Sequence, residues 1–254
     1  MTGPPPADLS GRRALVTGAG QGVGRATAFA LAALGAAVAV NDYAGPRAES
    51  VAAEIRAAGG EASALPFDVG DLAAVEAAVA RAGPFEVLVN NAGNGGAAGW
   101  AAFVPFADTD PRDWAGTISV NFFGVLHCTH SVLPGMITAG WGRIITIVSD
   151  AGRVGEPNLA VYGAAKAGAA GLTRTVAREV GRYGITANNV ALASIQPPGG
   201  PEPPDAAARL KKYVIRRFGT PEDAAALVAF LAGPVSGWIT GQTYAVNGGY
   251  SLTL

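Results

Sequence analysis

The fold can be inferred from residues Thr17-Gly18-Ala19-Gly20-Gln21-Gly22-Val23-Gly24, because they end a short apolar run and open a segment of helical length. Glycines at a strand-to-helix turn let backbone amides and the helix N-terminus approach a diphosphate closely. The spacing differs from G-x-G-x-x-G, since Val23 takes the place of the third glycine. Taken alone, the stretch predicts either a dinucleotide-binding turn or a glycine-rich turn that serves only tight packing.

Outward from this turn, short runs rich in β-branched residues alternate with alanine-rich segments of helical length. Strands are predicted at residues 14–17, 37–41, 87–90, 144–148, 186–191 and 243–246, and helices near 23–34, 48–58, 72–81, 111–133, 161–183 and 221–231. Such alternation predicts βαβ units, whose parallel strands need right-handed crossovers. We therefore expect the α/β class: a single Rossmann-type, doubly wound parallel sheet flanked by helices on both faces, with ligands at the carboxyl ends of the strands.

The composition fits one buried domain over residues 1–254 and a small-molecule partner. Half of the 254 residues are hydrophobic and 15% are charged, as in a parallel sheet covered on both faces. A net charge of −1 offers no basic field for nucleic acid or for an anionic membrane surface. The single cysteine, Cys128, forms no internal disulfide, so a cytoplasmic location is expected. Residues 1–10 contain three consecutive prolines and lack the pattern of a signal peptide, which predicts a flexible arm.

Three motifs in order make the chain resemble the short-chain dehydrogenase/reductase family over nearly its whole length. The family's first turn reads T-G-x-x-x-G-x-G, which residues 17–24 match. Asn90-Asn91-Ala92-Gly93 matches its N-N-A-G after the fourth strand, and Asp68-Val69 matches the pair that the family places beside adenine. The residues assigned to the cofactor are Gly18, Gln21, Gly22, Val23, Gly24, Asp42, Asp68, Val69, Asn90, Ala92, Gly93, Tyr162, Lys166 and Ile195.

Asp42 is predicted to determine whether the protein prefers NAD or NADP. It ends the second strand eighteen residues after Gly24, where a carboxylate can accept hydrogen bonds from the adenosine ribose hydroxyls and would repel a 2′-phosphate. Gln21 is neutral at a position where NADP-preferring members of the family often carry a basic residue. Both features favour NAD over NADP. Two alternatives stay open: Asp42 as an exposed turn acid beside Gly45-Pro46, and an Arg47 that folds back to receive a phosphate.

Tyr162 and Lys166 lie four residues apart, which on a helix places both side chains on one face. A nearby ammonium stabilises a phenolate, so it lowers the tyrosine pKa from its usual value of about 10 toward neutral pH. This spacing is common by chance, and a surface helix pair is the alternative. Ser149 ends an apolar strand thirteen residues before Tyr162, in agreement with the family's serine-to-tyrosine spacing. Its hydroxyl can hydrogen-bond the reacting oxygen.

Asn121, in the predicted long helix, resembles the asparagine that completes the family's catalytic tetrad. In the family this residue helps to place a water that relays protons to the lysine. Asparagine is disfavoured inside helices, so a helix-bending polar residue is the other interpretation. His127 and His130 share the helix but lack accompanying carboxylates or cysteines, so no metal is expected and both are expected to be structural or exposed.

These assignments predict an oxidoreductase that transfers a hydride between NAD and a carbonyl or secondary alcohol. Tyr162 is the expected general acid and base, Ser149 orients the substrate oxygen, and Lys166 lowers the tyrosine pKa and holds the nicotinamide ribose. Residues 149–153 resemble bacterial members that act on hydroxyacyl thioesters or cyclic alcohols, and the family resemblance implies a homotetramer. Three alternative functions stay open. The first is an NADP-dependent 3-oxoacyl-thioester reductase, and the second is a non-catalytic dinucleotide-binding protein of the same fold. The third is a nucleotide-sugar epimerase, for which the chain is short.

Residues 194–217 are predicted to form a substrate-loop region. Residues 196–205 hold five prolines and two glycines, which fits a substrate lid or a merely tolerated surface loop equally well. The basic residues in 209–217 suit the phosphates of a coenzyme A ester or a solvated helix face. Where the family usually reads P-G-x-I-x-T, Ile195 still matches the residue whose backbone meets the nicotinamide amide. Pro197 replaces a threonine that contacts the diphosphate.

Overall fold

This computed structural model describes residues 8–93, 104–196, 199–200 and 205–252. They form parallel strands and the helices between them. The strands are β1 (Arg13–Val16), β2 (Ala37–Val40), β3 (Glu61–Ala64), β4 (Val87–Asn90), β5 (Gly142–Ser149), β6 (Ile185–Leu192) and β7 (Thr243–Val246). The helices are α1 (Gly22–Ala33), α2 (Gly45–Ala57), α3 (Leu72–Ala82), α4 (Pro111–Ile118), α5 (Gly124–Ala139), α6 (Ala160–Val180), α7 (Ala206–Leu210) and α8 (Pro221–Ala232).

Within these described ranges the seven strands pair side by side in the order β3-β2-β1-β4-β5-β6-β7, and every pairing is parallel. The strand order reverses direction between β1 and β4, which makes the carboxyl ends of these two strands the expected place for a ligand. This topology confirms the predicted doubly wound α/β class. None of the described helices has the length and apolar character needed to cross a membrane.

The predicted elements agree with the structure to within a few residues, with three differences. β3 was not predicted, because Glu-Ala-Ser-Ala contains no β-branched or aromatic residue; its parallel pairing with β2 at the sheet edge makes it a strand. The short helix α7 was not predicted either. The single helix predicted over 111–133 is divided into α4 and α5 by a π-helical turn, Ser119–Phe123.

Helices cover both faces of the sheet because successive strand residues point to opposite sides. Val16 and Val89 belong to a buried cluster with residues of α1, α2 and α8. Their neighbours Leu15 and Leu88 belong to a second cluster with residues of α3, α5 and α6. The inner strands are therefore buried on both faces, as parallel strands usually are.

The prediction of a flexible arm over residues 1–10 is wrong at Leu9. Its side chain is fully buried, and its amide donates a hydrogen bond to the carbonyl oxygen of Leu34 at 2.8 Å. The physical reason is that β1 needs apolar cover at the end of α1, which Leu9 supplies as part of the first buried cluster. Residues 1–7 lie outside the described residues.

Thr17 joins the turn after β1 to the turn after β4. Its buried hydroxyl oxygen accepts hydrogen bonds from the backbone amides of Asn91 at 2.9 Å and Ala92 at 3.0 Å. In return, the Asn91 side-chain amide donates to the carbonyl oxygens of Thr17 at 2.9 Å and Gly18 at 3.1 Å. The first and second sequence motifs are thus bonded to each other directly.

We expect Thr17→Val to lower the free energy of unfolding by about 1 to 3 kcal/mol, because valine keeps the shape but leaves two backbone donors without their acceptor. Urea unfolding followed by circular dichroism measures the change. Thr175→Val is the matched control, since the Thr175 hydroxyl is exposed and bonds only a carbonyl oxygen of its own helix, at Gly171. The control should change the value by less than about 0.5 kcal/mol. Equal effects of the two substitutions would contradict the role given to Thr17.

Candidate active site

The turn after β1 has the backbone shape and the empty space that a dinucleotide diphosphate needs. Gly18 and Gly22 have left-handed φ values of 62° and 56°, which side chains other than glycine rarely adopt. A Cβ atom on Gly24 would lie 2.4 Å from the Gly18 carbonyl oxygen, so this position also requires glycine. The Gln21 side chain does not cap α1, which leaves the first amides of the helix facing the turn. These residues fit a diphosphate.

Asn41, at the end of β2, supports this turn and was not predicted as a site residue. Its carbonyl oxygen accepts from the Ala19 amide at 2.6 Å, and its Oδ1 accepts from the Gly18 amide at 3.3 Å. Its Nδ2 donates to the carbonyl oxygens of Leu65 at 3.1 Å and Phe67 at 3.0 Å. This position needs a side-chain amide, because it must both donate and accept hydrogen bonds. Nothing in the sequence indicated this need, since the bonding partners lie in neighbouring loops.

Asp42 is paired with Arg47. The Asp42 carboxylate is 4% exposed, and its Oδ1 accepts from Arg47 Nη2 at 2.7 Å and from the Ala44 amide at 2.9 Å. A Cβ atom on Gly20 would lie 2.5 Å from its Oδ2, so the carboxylate packs against the glycine turn. Asp42 is therefore not an exposed turn acid, and Arg47 folds back onto the Asp42 carboxylate.

Three other residues assigned to the cofactor, Asp68, Val69 and Asn90, form hydrogen bonds with groups of the protein itself. Asp68 is exposed, and its Oδ1 accepts from the Gly70 amide at 2.8 Å. Val69 is buried, and its carbonyl oxygen lies 2.9 Å from Nδ1 of His127, the structural role expected for that histidine. Asn90 is buried and donates through Nδ2 to the Thr129 hydroxyl at 3.0 Å. Their contacts with a cofactor stay predictions.

A cleft of about 1100 Å³ at the carboxyl ends of the strands brings the two halves of the predicted site together. Its lining includes Val23, Gly93, Ser149, Tyr162, Lys166 and Ile195. Ile195 forms a parallel bridge with Gly219, and Pro197 lies outside the described residues. Tyr213 shows that the region 194–217 is anchored within the described residues, because it is 4% exposed and its hydroxyl accepts from the Ser194 amide at 3.1 Å.

Burial controls the charge of Tyr162 and Lys166. Burial raises the pKa of Tyr162 to about 12, and a hydrogen bond with Ser149 opposes this shift only in part. Burial also lowers the pKa of Lys166 to about 8. The lowering of the Tyr162 pKa by Lys166 stays a prediction. The Lys166 ammonium donates to the Ile147 carbonyl oxygen at 3.0 Å and lies 5.8 Å from the centre of the tyrosine ring.

Asn121 occupies the π-helical turn and is fully buried. Its Nδ2 donates to the Thr117 carbonyl oxygen at 2.9 Å. A Cβ atom built on Gly93 would lie 3.0 Å from Asn121 Oδ1 and 3.4 Å from Lys166 Nζ. Asn121, Gly93 and Lys166 therefore converge, and the wider π turn is what directs the asparagine to this point.

Some residues of the site were missed by sequence reasoning. Asn91 lines the cleft and forms the hydrogen bonds with Thr17 described above; its place in the N-N-A-G motif was the signal for it. Glu156 and Tyr250 line the same cleft although 94 residues separate them, and neither belongs to a motif. Only the tertiary structure brings that pair together.

Known proteins with the same fold and related sequences agree in reaction type. The family model for short chain dehydrogenase matches residues 12–202. Over 248 residues the chain is 41% identical to the 3-oxoacyl-[acyl-carrier-protein] reductase of Synechocystis sp., which covers 95% of this chain and 97% of that protein. The crystal structure of a gluconate 5-dehydrogenase from Burkholderia cenocepacia in complex with NADP and tartrate has a TM-score of 0.89 at 34% identity, with 98% of each chain covered.

A second solved structure, a 3-oxoacyl-[acyl-carrier protein] reductase from Brucella melitensis with bound NAD, also has a TM-score of 0.89. It is 30% identical, and the match covers 99% of this chain and 98% of that one. The cofactors and substrates in these names differ from one protein to the next. The similarity therefore supports a reaction class, and the choice of cofactor and substrate depends on the residues of this chain.

The buried Lys166 predicts a specific dependence of stability on pH. Because the pKa of Lys166 is about 8 in the folded protein and its ordinary value is 10.5, the charged form destabilises the folded state below pH 8. That destabilisation is relieved as the pH rises from 8 to 10.5. We therefore expect the stability of the parent relative to Lys166→Met to increase by about 2 to 3 kcal/mol between pH 7 and pH 10.

Urea unfolding of both proteins across this pH range measures the difference, in which the other titrating groups cancel. Lys211→Met is the control, because it removes the same charge from an exposed side chain. A constant difference for Lys166→Met would show that the ammonium is hydrated in the folded state.

Proposed function

The chain belongs to the short-chain dehydrogenase/reductase family, and from that premise we propose that it transfers a hydride between NAD and a secondary alcohol or carbonyl, with Tyr162 as general acid and base. Membership makes the chain an oxidoreductase; the roles of its residues and its preference for NAD are the proposal. The observation that supports it most is the single cleft that holds Ser149, Tyr162 and Lys166 beside Gly93 of the second motif. The bound dinucleotide supplies or accepts the hydride.

Tyr162 exchanges the proton with the substrate oxygen. With a pKa of about 12 its hydroxyl is protonated at neutral pH, which suits donation to the oxygen of a carbonyl that is being reduced. The Ser149 hydroxyl, which bonds Tyr162, holds the same substrate oxygen in place. Lys166, with a pKa of about 8, can return a proton toward Tyr162 near neutral pH, and Asn121 lies beside it. In alcohol oxidation each of these proton movements is reversed.

Asp42 and Arg47 together set the preference between NAD and NADP. The Asp42 carboxylate can accept hydrogen bonds from ribose hydroxyls, which favours NAD. Arg47 neutralises part of that charge and can itself pair with a 2′-phosphate, so it moderates the preference. We expect NAD to be preferred, with measurable use of NADP.

The second candidate function is that of an NADP-dependent 3-oxoacyl-thioester reductase. The Synechocystis relative named above and the basic residues Arg209 and Lys212 at the cleft favour it.

We also propose a homotetramer, since large apolar side chains are exposed on the π-helical turn and after α8. Trp238 is 99% exposed, and Phe123 and Val235 are about half exposed. The cytoplasmic location stays a proposal.

Tyr162→Phe should greatly slow reduction while dinucleotide binding persists, because only the phenolic proton is lost. A fall in kcat of about 10² to 10⁴ is expected from the usual contribution of general acid catalysis. NADH absorbance with cyclohexanone and with an acetoacetyl thioester as substrates measures turnover, and calorimetric titration with NADH measures binding. Tyr183→Phe, on the turn after α6, is the control and should retain parental turnover. Retention of most activity by Tyr162→Phe would refute its assignment.

Arg47→Leu should widen the preference for NAD over NADP about tenfold, because it removes a cation that can meet the 2′-phosphate and leaves the Asp42 charge unopposed. The ratio of kcat/KM for the two cofactors is the measurement. Arg56→Leu is the control on the same helix, since Arg56 pairs with Glu49 away from Asp42. An Arg47→Leu enzyme with the parental ratio would mean that the pair takes no part in cofactor choice.

A further inference from the structure

The cleft has an aromatic wall in which Tyr250, near the end of the described chain, lies against Tyr213. Their ring centres are 5.4 Å apart, and Phe218 meets Tyr213 edge-on at 6.0 Å. All three line the same cleft as Ser149 and Tyr162. Aromatic faces of this kind pack well against the C–H groups of a ring or carbon chain.

A carboxylate stands at this wall. Glu156 lines the cleft seven residues after Ser149, and its Oε2 accepts a hydrogen bond from the Tyr250 hydroxyl at 2.5 Å. Its other oxygen, Oε1, accepts no hydrogen bond from any part of the chain that the structure describes. The carboxylate is therefore oriented by one oxygen and has acceptor capacity left on the other.

A buried network fixes the two segments that carry this pair. Asp150 is 1% exposed and accepts from Arg153 Nη1 at 2.6 Å and from Asn247 Nδ2 at 2.7 Å. Asn247 Nδ2 also donates to the backbone oxygen of Ser251 at 2.9 Å. The turn that presents Tyr250 is thereby tied to the segment between Ser149 and Glu156, which preorganises the carboxylate relative to the reacting oxygen.

The charges around the cleft decide what kind of donor Glu156 would receive. Arg209 and Lys212 line the same cleft, and Arg209 pairs with Asp205 at 2.8 Å. Three basic side chains, Lys166, Arg209 and Lys212, and three acidic ones, Asp150, Glu156 and Asp205, line the cleft, so its formal charges balance. A neutral hydroxyl group can donate to the Glu156 carboxylate without adding a charge to this balanced set.

We propose that Glu156, oriented by Tyr250, accepts a hydrogen bond from a substrate hydroxyl on a carbon beyond the reacting one. The enzyme then selects polyhydroxylated alcohols and ketones over their deoxy counterparts. This inference rests on the proposed function, because Ser149 and Tyr162 must hold the reacting oxygen in the same cleft. A hydrogen bond to a charged acceptor is worth about a tenfold factor or more in selectivity.

The test compares NAD-dependent oxidation of cyclohexanol with that of 1,2-, 1,3- and 1,4-cyclohexanediol, which differ from it by one hydroxyl. The parent should show a kcat/KM at least about tenfold higher for the best diol than for cyclohexanol. In Glu156→Ala this ratio should fall to about one, and in Tyr250→Phe it should lie between. A purely structural role would lower both efficiencies together and leave the ratio as it is in the parent.

Glu179→Ala is the matched control, because Glu179 is an exposed carboxylate on α6, and the ratio should be parental there. Thermal unfolding of each variant shows whether it folds. A parent that oxidises cyclohexanol and the diols equally well would overturn this inference alone, as would a preference for 4-aminocyclohexanol. A parent inactive toward the whole panel and toward the carbonyl substrates above would overturn the proposed function, and this inference with it.

Discussion

The hydrogen bonds of the Thr17 hydroxyl fix the geometry of the whole site. They join the turn after β1 to the turn after β4, at the place where the order of strands in the sheet reverses. The two turns approach so closely that a Cβ atom on Gly18 would lie 2.8 Å from Ala92 Cα. Glycine and threonine are therefore both required, one for its missing side chain and the other for its acceptor. Gly93, which follows, is placed beside Lys166 as a result.

Burial is the second physical theme. Tyr162 and Lys166 lie side by side, yet each is held toward its neutral form because the surrounding apolar strands and helices exclude water. With a pKa of about 8, Lys166 can hold or release a proton near neutral pH, while Tyr162 stays protonated there. In the same cleft the Glu156 carboxylate lies at the aromatic wall, where the Tyr250 hydroxyl donates a hydrogen bond to it. In the proposed function, proton exchange at Tyr162 and substrate recognition at Glu156 therefore take place at different points of one cavity.

Much of the fold was predictable because its signals are local. Six of the seven strands found in the described ranges follow β-branched runs, and the glycine turn announces the start of α1. β3 escaped prediction because its residues have no strand preference and pair only when β2 is present. The π-helical turn at Asn121 escaped for a similar reason, since the 3.6-residue pattern of 111–133 continues through it. Leu9 was assigned to an arm because it packs at the end of α1, on residues that are distant from it in the sequence.

The sequence by itself determined which residues could form the site: the glycines, the N-N-A-G turn, and the spacing of Ser149, Tyr162 and Lys166 along a strand end and a helix. These are properties of neighbours in the chain, and backbone geometry preserves them. The pKa shifts of Tyr162 and Lys166, the pairing of Arg47 with Asp42 and the contact of Glu156 with Tyr250 become visible only in the folded chain. A pKa and an ion pair depend on the dielectric surroundings and on distances between side chains, and elements far apart in the sequence supply both.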